Sequence, residues 1–569
     1  GLVTAAGGAA LAASSTALPD VTARHSPPPR SFLYLLADDF RLDSTTSVLI
    51  DRTFGLASNG MRFENAFPAG MTCVPSRASF LTGRRPASLG LPVTTGDKSG
   101  WNARRNLEGF LSLPTVLRNA NWQTAGVGKI FHFQEDRENY TIKHSGPTGA
   151  TLRVCHGPGA VNVSCVNGVK SAACACDLKS TRSWPDEIVA SLAMQRLEKF
   201  VQGGAPRQPF MLIAGFLKPH TPWEVPSRFL GAVQELEGEL IAKRVHQGPC
   251  RVWQRGLPLQ QSIDLASFYH ASAAFTMTMV SRLLQHLTKL QLDNTTAVVF
   301  HGDHGIGLGE WRFEVLKSRS FFGDATLRVP LALRVPWLPA TQGTVIDRPV
   351  SLLDVAPTIL ELAGLDDVIQ RMHLPGNSLL HDPQVPVAIT HSQYGYSIRT
   401  RHWRYVRREP TEHIWSPCTR PLLNQTVKGV YAEPVELYPA ANLSLPTCGE
   451  IRQDLQLHNM AALPESPELE RVFNAIERQL CIGQGDQRAN DTVAVNNGDC
   501  IRRCEEGRRA ASAVWAGKAS ALPAQKQEAE EEARLRSYGH FFRDEDAAVA
   551  PFDSAAAPPP PLLPPPPSP

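Results

Sequence analysis

The sequence predicts an α/β fold in which a mostly parallel sheet is covered on both faces by helices. Three short apolar runs, residues 32–37, 210–216 and 297–300, have the length and composition of buried parallel strands. Between them, residues 185–200 and 263–290 repeat apolar side chains at three- and four-residue spacing, which predicts helices. Alternation of such strands and helices favours a parallel sheet between two helical layers.

Each apolar run ends abruptly in polar residues that can bind metals or anions. The residues that follow the runs are Asp38 and Asp39 after the first, Lys218 and His220 after the second, and Asp303 and His304 after the third. The carboxyl ends of parallel strands lie at one edge of a sheet, which is where α/β folds bind ligands. We therefore expect these side chains to meet at that edge.

The composition divides the chain into four regions. Residues 1–30 contain an Ala-, Leu- and Gly-rich run with an A-x-A-like end, typical of the remnant of a signal peptide. Residues 31–385 form the main domain. Residues 386–485 carry aromatic and β-branched segments, which predict a small C-terminal α+β subdomain with an antiparallel sheet. Residues 486–569 are charged and then Pro-rich, and we expect no core there.

Charge and cysteine content narrow the class of protein. A net charge of +3 and a pI of about 8.3 argue against a nucleic-acid-binding protein. Eleven cysteines and six N-x-S/T sequons are typical of the secretory pathway. The sequons begin at Asn139, Asn162, Asn294, Asn424, Asn442 and Asn490. No run reaches the roughly 18 to 20 consecutive apolar residues of a membrane-spanning helix, so we expect a soluble secreted or lumenal protein.

The most specific segment extends from Cys73 to Arg84 and reads CVPSRASFLTGR. It resembles the signature of the sulfatase family, C-x-P-S-R followed by L-T-G-R, which that family's formylglycine-generating enzyme recognises. The resemblance implies that Cys73 is oxidised to formylglycine and that this enzyme is a partner during maturation. It also makes residues 31–385 the catalytic domain.

Formylglycine supplies a chemistry that a plain serine or cysteine lacks. A hydrated aldehyde carries two hydroxyl groups on one carbon. One hydroxyl attacks sulfur and expels the alcohol, and the second, once deprotonated, eliminates sulfate from the covalent hemiester. The resemblance therefore implies the hydrolysis of a sulfate ester.

Such a nucleophile needs a Lewis acid that lowers its pKa and holds the sulfate oxygens. Carboxylates at strand ends are suitable ligands, and Asp38, Asp39 and Asp303 fit that requirement. The resemblance adds Cys73 and His304, which stands where iduronate-2-sulfatase-type enzymes have a metal ligand and many other sulfatases have Asn. We expect one divalent cation, Ca²⁺, at this site.

Basic side chains must stabilise the charge that a sulfate ester develops on its bridging oxygen as the bond breaks. The resemblance supplies the candidates Arg77, Lys129, His132, His220 and Lys317. It implies that Arg77 holds the formylglycine hydroxyl, that Lys129 holds a sulfate oxygen and that His132 orients the nucleophile. His220 and Lys317 would lie near the leaving oxygen. A histidine titrates near working pH, so we expect His220 to donate the proton.

The resemblance spans residues 31–480, implies an alkaline-phosphatase-like fold and looks closest to the iduronate-2-sulfatase type. The loop that carries Lys317 is longer than in the family, which makes Arg319 an alternative at that position. Cys155 and Cys165 have a spacing that resembles a family disulfide. Cys174 and Cys176 have no assigned partner.

Two other functions stay open at this stage. A phosphatase or phosphonate monoester hydrolase of the same superfamily would use the same metal and nucleophile position. An inactive member would instead bind sulfated glycans. The implied substrate is 2-sulfated iduronate in a glycosaminoglycan, with other sulfated sugars or polysaccharides as alternatives. The implied location is the lysosomal or vacuolar lumen or the extracellular space.

Overall fold

The computed structural model describes residues 30–55, 59–89, 91, 110–132, 140–147, 154–155, 160–165, 173–202, 208–231, 233, 259–308, 323–383, 386–392, 395–401, 403–408 and 435–439. The chain divides into two units, residues 1–505 and 506–569, and every described residue belongs to the first. Apart from Arg30, the predicted leader lies outside the described residues, and so does the predicted tail.

The described helices surround a large sheet. They include α1 (Ser44–Phe54), α2 (Cys73–Thr82), α3 (Leu113–Asn119), α4 (Pro185–Phe200), α5 (Leu259–Lys289), α6 (Asp324–Leu327), α7 (Val355–Leu362) and α8 (Asp366–Met372). Residues 227–231 are also helical. Two single turns of 3-10 helix cover Pro339–Thr341 and Leu352–Asp354. In this part of the chain, no helix combines the length and apolar character needed to cross a membrane.

The strands form three sheets among the described residues. They are β1 (Ser31–Ala37), β2 (Met61–Phe67), β3 (Gln123–Gly128), β4 (Ile142–Ser145), β5 (Ala160–Cys165), β6 (Cys174–Leu178), β7 (Phe210–Phe216), β8 (Glu224–Pro226), β9 (Thr296–Gly302), β10 (Val329–Arg334), β11 (Thr344–Ile346), β12 (Val350–Ser351), β13 (Ala388–Ser392), β14 (Gly395–Arg399), β15 (Trp403–Arg408) and β16 (Val435–Pro439). The largest sheet has the order β11-β2-β10-β9-β1-β7-β3-β4, and β12 pairs with β2.

The centre of the large sheet is parallel, as predicted. β9, β1, β7, β3 and β4 run in the same direction, while β10 is antiparallel to both of its neighbours. Every residue of β1 is buried, and alternate side chains enter two separate cores. The core on one face includes residues of α4 and α5, and that on the other includes residues of α2, α3 and α7.

The predicted elements are present with small shifts at their ends. The apolar runs at 32–37, 210–216 and 297–300 lie in β1, β7 and β9. The helix predicted at 185–200 is α4 itself, and the one predicted at 263–290 is α5, which begins four residues earlier. The α/β fold class is therefore confirmed.

A separate antiparallel sheet lies in the region where the small C-terminal subdomain was predicted. Its order is β13-β14-β15-β16, and each pair of neighbours is antiparallel. An isolated bridge between Gly70 and His391 of β13 ties this sheet to the segment that precedes α2. The C-terminal sheet is therefore connected directly to the chain that leads to Cys73.

The disulfide pairing differs from the one that the family spacing suggested. Cys165 bonds to Cys174 and Cys155 bonds to Cys176, so the expected pair of Cys155 with Cys165 is wrong. The reason is the register of β5 and β6, which places Cys165 opposite Cys174 with their Cα atoms 4.1 Å apart. Both disulfides thus attach neighbouring chain to β6.

Two glycines allow β3 and β7 to approach closely at the edge where the polar residues gather. The Lys129 N–H donates to the Gly215 carbonyl at 2.8 Å. A Cβ at Gly215 would overlap the Lys129 carbonyl, and a Cβ at Gly128 would overlap the Gly215 carbonyl. Gly128 also has a φ of 76°, which is unfavourable for residues with a side chain. Glycine at both positions therefore fixes where Lys129 leaves the sheet.

We predict that Gly215→Ala lowers the free energy of unfolding by about 2 to 3 kcal/mol, because rigid backbone must move to accommodate the methyl group. Guanidinium denaturation followed by circular dichroism measures the change. Gly231→Ala is the matched control, since Gly231 is exposed and helical and a Cβ there meets nothing within 4 Å. A Gly215→Ala protein as stable as the control would contradict a rigid approach of the two strands.

Candidate active site

Four neighbouring parallel strands, β9, β1, β7 and β3, end at one edge of the sheet. The polar residues that follow them are Asp303 and His304 after β9, Asp38 and Asp39 after β1, Lys218 and His220 after β7, and Lys129 and His132 after β3. The helix α2 begins beside this edge, since its first residue, Cys73, contacts His304. The ends of β9, β1 and β7 are the three at which the sequence analysis expected polar residues to meet, and the structure adds the end of β3.

Cys73 lies among ionisable groups. Its Sγ is 3.2 Å from His304 Nε2 and 4.0 Å from Asp39 Oδ1, and the residue is only 4% exposed. Backbone hydrogen bonds between the segment 69–71 and His391 of β13 hold the chain that leads into the helix. Because Cys73 is the first residue of α2, the helix dipole favours a negative charge at this point.

Arg77, one turn further along α2, joins the helix to two strand ends. Its Nε donates to Asp303 Oδ2 at 2.8 Å and its Nη2 donates to Asp38 Oδ1 at 2.9 Å. Its Nη1 donates to the carbonyls of Lys129 and Ile130 at 2.6 and 2.9 Å. The side chain is fully buried. Burial disfavours the charged form, but Asp303 and Asp38 outweigh that effect and raise the pKa above its ordinary value.

Asp303 organises the backbone around it. One of its oxygens, Oδ1, accepts hydrogen bonds from the N–H groups of Asp39 and His304 at 2.8 and 2.9 Å. Asp39 has a φ of 62°, which is uncommon for a residue with a side chain. The Tyr269 hydroxyl donates to the Asp39 carbonyl at 3.0 Å and accepts from the Arg41 N–H at 2.9 Å. Asp39 is therefore held from both sides of its peptide.

The three carboxylates form a compact group that suits a cation. Asp38, Asp39 and Asp303 each offer an oxygen, these oxygens lie within 4.8 Å of one another, and all three residues are buried. Among the described residues, the permanent cations that form ion pairs with this group are Arg77, which meets Asp38 and Asp303, and Lys129, which meets Asp38. Three buried carboxylates thus lie beside two such cations in the described part of the chain. Buried charge of this kind is stable only when it is balanced, so the donor set fits a hard divalent cation.

The pKa of His304 is shifted by the same group of negative charges. Its Nε2 lies 3.3 Å from Asp39 Oδ1, and its Nδ1 is 2.7 Å from the Gly305 carbonyl. Burial lowers the pKa of the ring, but neighbouring anions, chiefly Asp303, outweigh burial and raise the pKa to about 10. A protonated His304 and a bound cation are therefore two ways to offset the negative charge of the carboxylates.

Two further basic residues were suggested by the sequence, His132 and Lys317, and the structure describes the first of them. His132 follows Lys129 in the same loop and is partly buried. Lys317 and its alternative, Arg319, lie outside the described residues.

His220 approaches the carboxylates from the loop after β7. Its Nε2 is 3.9 Å from Asp39 Oδ2, and its side chain is 15% exposed, more than the other groups of the cluster. Its Nδ1 is 2.5 Å from the Thr221 carbonyl. Lys218, in the same loop, is only 3% exposed. Burial lowers the pKa of Lys218 to about 8, although Glu224 and Asp186 act in the opposite direction.

Two residues that support the site, Tyr269 and Asp186, were not selected from the sequence. Tyr269 fixes the peptide of Asp39, and Asp186 accepts hydrogen bonds from the N–H groups of Leu217 and Lys218. Lys218 lies in a segment that the sequence did single out, but no role followed from it. A tyrosine within α5 and an aspartate in the first turn of α4 carry no sequence signal of their own, because both residue positions are ordinary for helices.

Comparison with known proteins places this site in a family. The family model for sulfatases matches residues 30–365. Iduronate 2-sulfatase from Homo sapiens is 27% identical over 453 residues, covering 62% of this chain and 79% of that protein.

Solved structures share the fold. A Bacteroides thetaiotaomicron protein described with the metabolism of multiple glycosaminoglycans has a TM-score of 0.52 at 17% identity, covering 80% of this chain and 97% of its own. A phosphonate monoester hydrolase from Silicibacter pomeroyi has a TM-score of 0.50 at 15% identity, covering 79% and 96%. The predicted alkaline-phosphatase-like architecture is thus confirmed.

The family match and the geometry concern the same part of the chain. Residues 30–365 contain all four strand ends and the whole of α2, and they make up more than half of the sequence. The chain with its buried Cys73 beside three carboxylates is therefore a member of the sulfatase family.

Proposed function

We propose that this sulfatase removes sulfate from a sulfated sugar with a formylglycine made from Cys73, beside a bound divalent cation. The observation that carries the proposal is the surroundings of Cys73, which contacts His304 and lies 4.0 Å from Asp39. A buried cysteine that only fills space has apolar neighbours. A buried cysteine among ionisable groups is instead suited to chemistry, which in this family is the hydrolysis of sulfuric esters.

The proposed cation, Ca²⁺, would be held by Asp38, Asp39, Asp303 and His304 together with the modified residue 73. When bound, it would lower the pKa of the nucleophilic hydroxyl and offset charge on the sulfate oxygens. Among the described residues, the three carboxylates lie beside two permanent cations, Arg77 and Lys129. The two positive charges of the bound cation would favour a singly charged sulfate ester at this place.

The nucleophile would be the hydrated aldehyde of residue 73, whose two hydroxyls supply the attack on sulfur and the later release of sulfate. Arg77 would hold one of these hydroxyls while it fixes the carboxylates on either side. Lys129 would bind a sulfate oxygen, and His132 would orient the nucleophile. His220, whose side chain is 15% exposed, would donate a proton to the leaving sugar oxygen. Lys317 would lie near the same oxygen.

The proposed substrate is a 2-sulfated iduronate in a glycosaminoglycan. The likeness to human iduronate 2-sulfatase supports this choice. His304 also supports this choice. It stands where the resemblance to iduronate-2-sulfatase-type enzymes implies a metal ligand, whereas many other sulfatases have Asn at that position. A phosphonate ester is the second candidate, since a phosphonate monoester hydrolase shares the fold.

The proposed location is the lysosomal or vacuolar lumen or the extracellular space, reached through the secretory pathway. Two disulfides among the described residues support an oxidising compartment. Of the sequons, Asn294 lies exposed just before β9, at the end of the strand opposite to the active site. Maturation there would require the formylglycine-generating enzyme.

We predict that the tryptic peptide 63–77 from native protein weighs about 18 mass units less than its sequence requires, because the Cys73 thiol has become an aldehyde. Mass spectrometry of the digest measures this loss. The same peptide from Cys73→Ser should show no such loss, and that variant should not cleave 4-nitrophenyl sulfate. An intact thiol in native protein that cleaves no sulfate ester would favour a glycan-binding role instead.

Calcium should stabilise the native protein, and Asp39→Asn should weaken that effect. At a calcium concentration of 100 times Kd, linkage predicts about 2.7 kcal/mol of added stability. We expect Asp39→Asn to raise Kd at least about tenfold, because a charged ligand is lost. Isothermal titration with Ca²⁺ measures Kd, and Asp367→Asn is the control, since its side chain is 63% exposed on α8. Equal affinities in the two variants would refute the metal assignment of Asp39.

The sugar specificity is tested by comparing kcat/KM for a disaccharide with 2-sulfated iduronate and one with 6-sulfated glucosamine. We expect at least about a tenfold preference for the former, which corresponds to one or two well-placed polar contacts. A reversed preference would refute the sugar and leave the sulfatase activity intact. Faster cleavage of a phenyl phosphonate monoester than of either sugar sulfate would favour the second candidate.

A further inference from the structure

The loop that carries His220 is organised by a buried lysine. We call residues 217–223, between β7 and β8, the histidine loop. Lys218 turns its ammonium back into this loop, where Nζ donates to the Pro222 carbonyl and, at 3.4 Å, to the His220 carbonyl. The residue is 3% exposed, so these bonds are made away from water. Charge-assisted hydrogen bonds of this kind are stronger than neutral ones.

Hydrogen bonds also fix the two ends of the histidine loop. The carboxylate of Asp186, which is fully buried in α4, accepts from the N–H groups of Leu217 and Lys218 at 2.8 and 3.2 Å. At the other end, the Trp223 indole N–H donates to the Pro219 carbonyl at 2.7 Å. Lys218 therefore holds the middle of the loop, between these two anchors.

The middle of the loop is what orients the imidazole of His220. Its Nδ1 is 2.5 Å from the Thr221 carbonyl, and its Nε2 faces Asp39 at 3.9 Å. The two carbonyls that Lys218 binds belong to the residues on either side of Thr221. Movement of that peptide would turn the ring, because the Nδ1 partner would move with it.

We propose that Lys218 is a positioning residue, whose ammonium fixes the histidine loop so that His220 Nε2 points at the leaving oxygen of the ester. The inference rests on the proposed role of His220 as proton donor. Asp186, which binds the Lys218 N–H, also lies near enough to favour the charged form of the ammonium, as do Glu224 and Asp38. A buried ammonium costs more to desolvate than an apolar side chain of the same size, so its contribution here is orientation of the loop.

Lys218→Met tests the proposal through the leaving group. Nitrophenolate leaves without protonation, whereas the more basic phenolate benefits from a proton donor. We expect kcat/KM for phenyl sulfate to fall about tenfold or more, and that for 4-nitrophenyl sulfate to fall less than about threefold. Lys199→Met, an exposed lysine on α4, is the matched control and should change neither value. Lys218→Gln, which keeps an N–H donor, replaces the Met variant if that variant does not fold.

A double-mutant cycle with His220→Gln separates positioning from a purely structural role. If Lys218 acts through His220, adding Lys218→Met to His220→Gln should cause no further loss on phenyl sulfate. An equal loss on both esters, or the full loss in the His220→Gln background, would overturn the proposal. Wild-type protein that cleaves neither ester would instead show that the proposed function itself fails, and the role of Lys218 with it.

Discussion

The guanidinium of Arg77 lies fully buried between the ends of two neighbouring strands and donates to four acceptors. It joins α2 to β1 through Asp38, to β9 through Asp303 and to the end of β3 through two carbonyls. Removing one partner of such a buried pair costs about 3 to 5 kcal/mol, because the other charge stays buried alone. Together with the backbone pairing of residues 69–71 to His391, this side chain therefore holds the first turn of α2, and with it Cys73, beside the strand ends.

Electrostatic balance constrains the rest of the site. The carboxylates cannot separate, because Asp303 also binds the N–H groups of Asp39 and His304. Among the described residues, the three carboxylates lie beside two permanent cations, Arg77 and Lys129. The pKa of His304, raised to about 10, reflects the neighbouring anions. The proposed cation would add positive charge at the same place.

The sequence predicted what is local, and it missed what depends on distant contacts. A continuous apolar run that ends in two aspartates indicated β1 and the carboxylates that follow it, and helical spacing indicated α4 from its first residue to its last. Tyr269 gave no such signal, because its partner Asp39 is 230 residues away. The disulfides depend on the register of β5 and β6, which spacing between cysteines does not encode. Register is fixed by side-chain packing across the whole sheet.

The carboxylates of the site lie at the ends of parallel strands of the large sheet, and the segments beside them are paired with two smaller sheets. Arg77 joins two of these strand ends to α2. The histidine loop continues into β8, which pairs with the disulfide-bonded β6. The Cys174 N–H of β6 donates to the Trp223 carbonyl at 3.0 Å. The segment before Cys73 is paired with β13 of the C-terminal sheet. Because these segments are attached to sheets of their own, the loops beside the site can vary in sequence without disturbing the carboxylates at the strand ends.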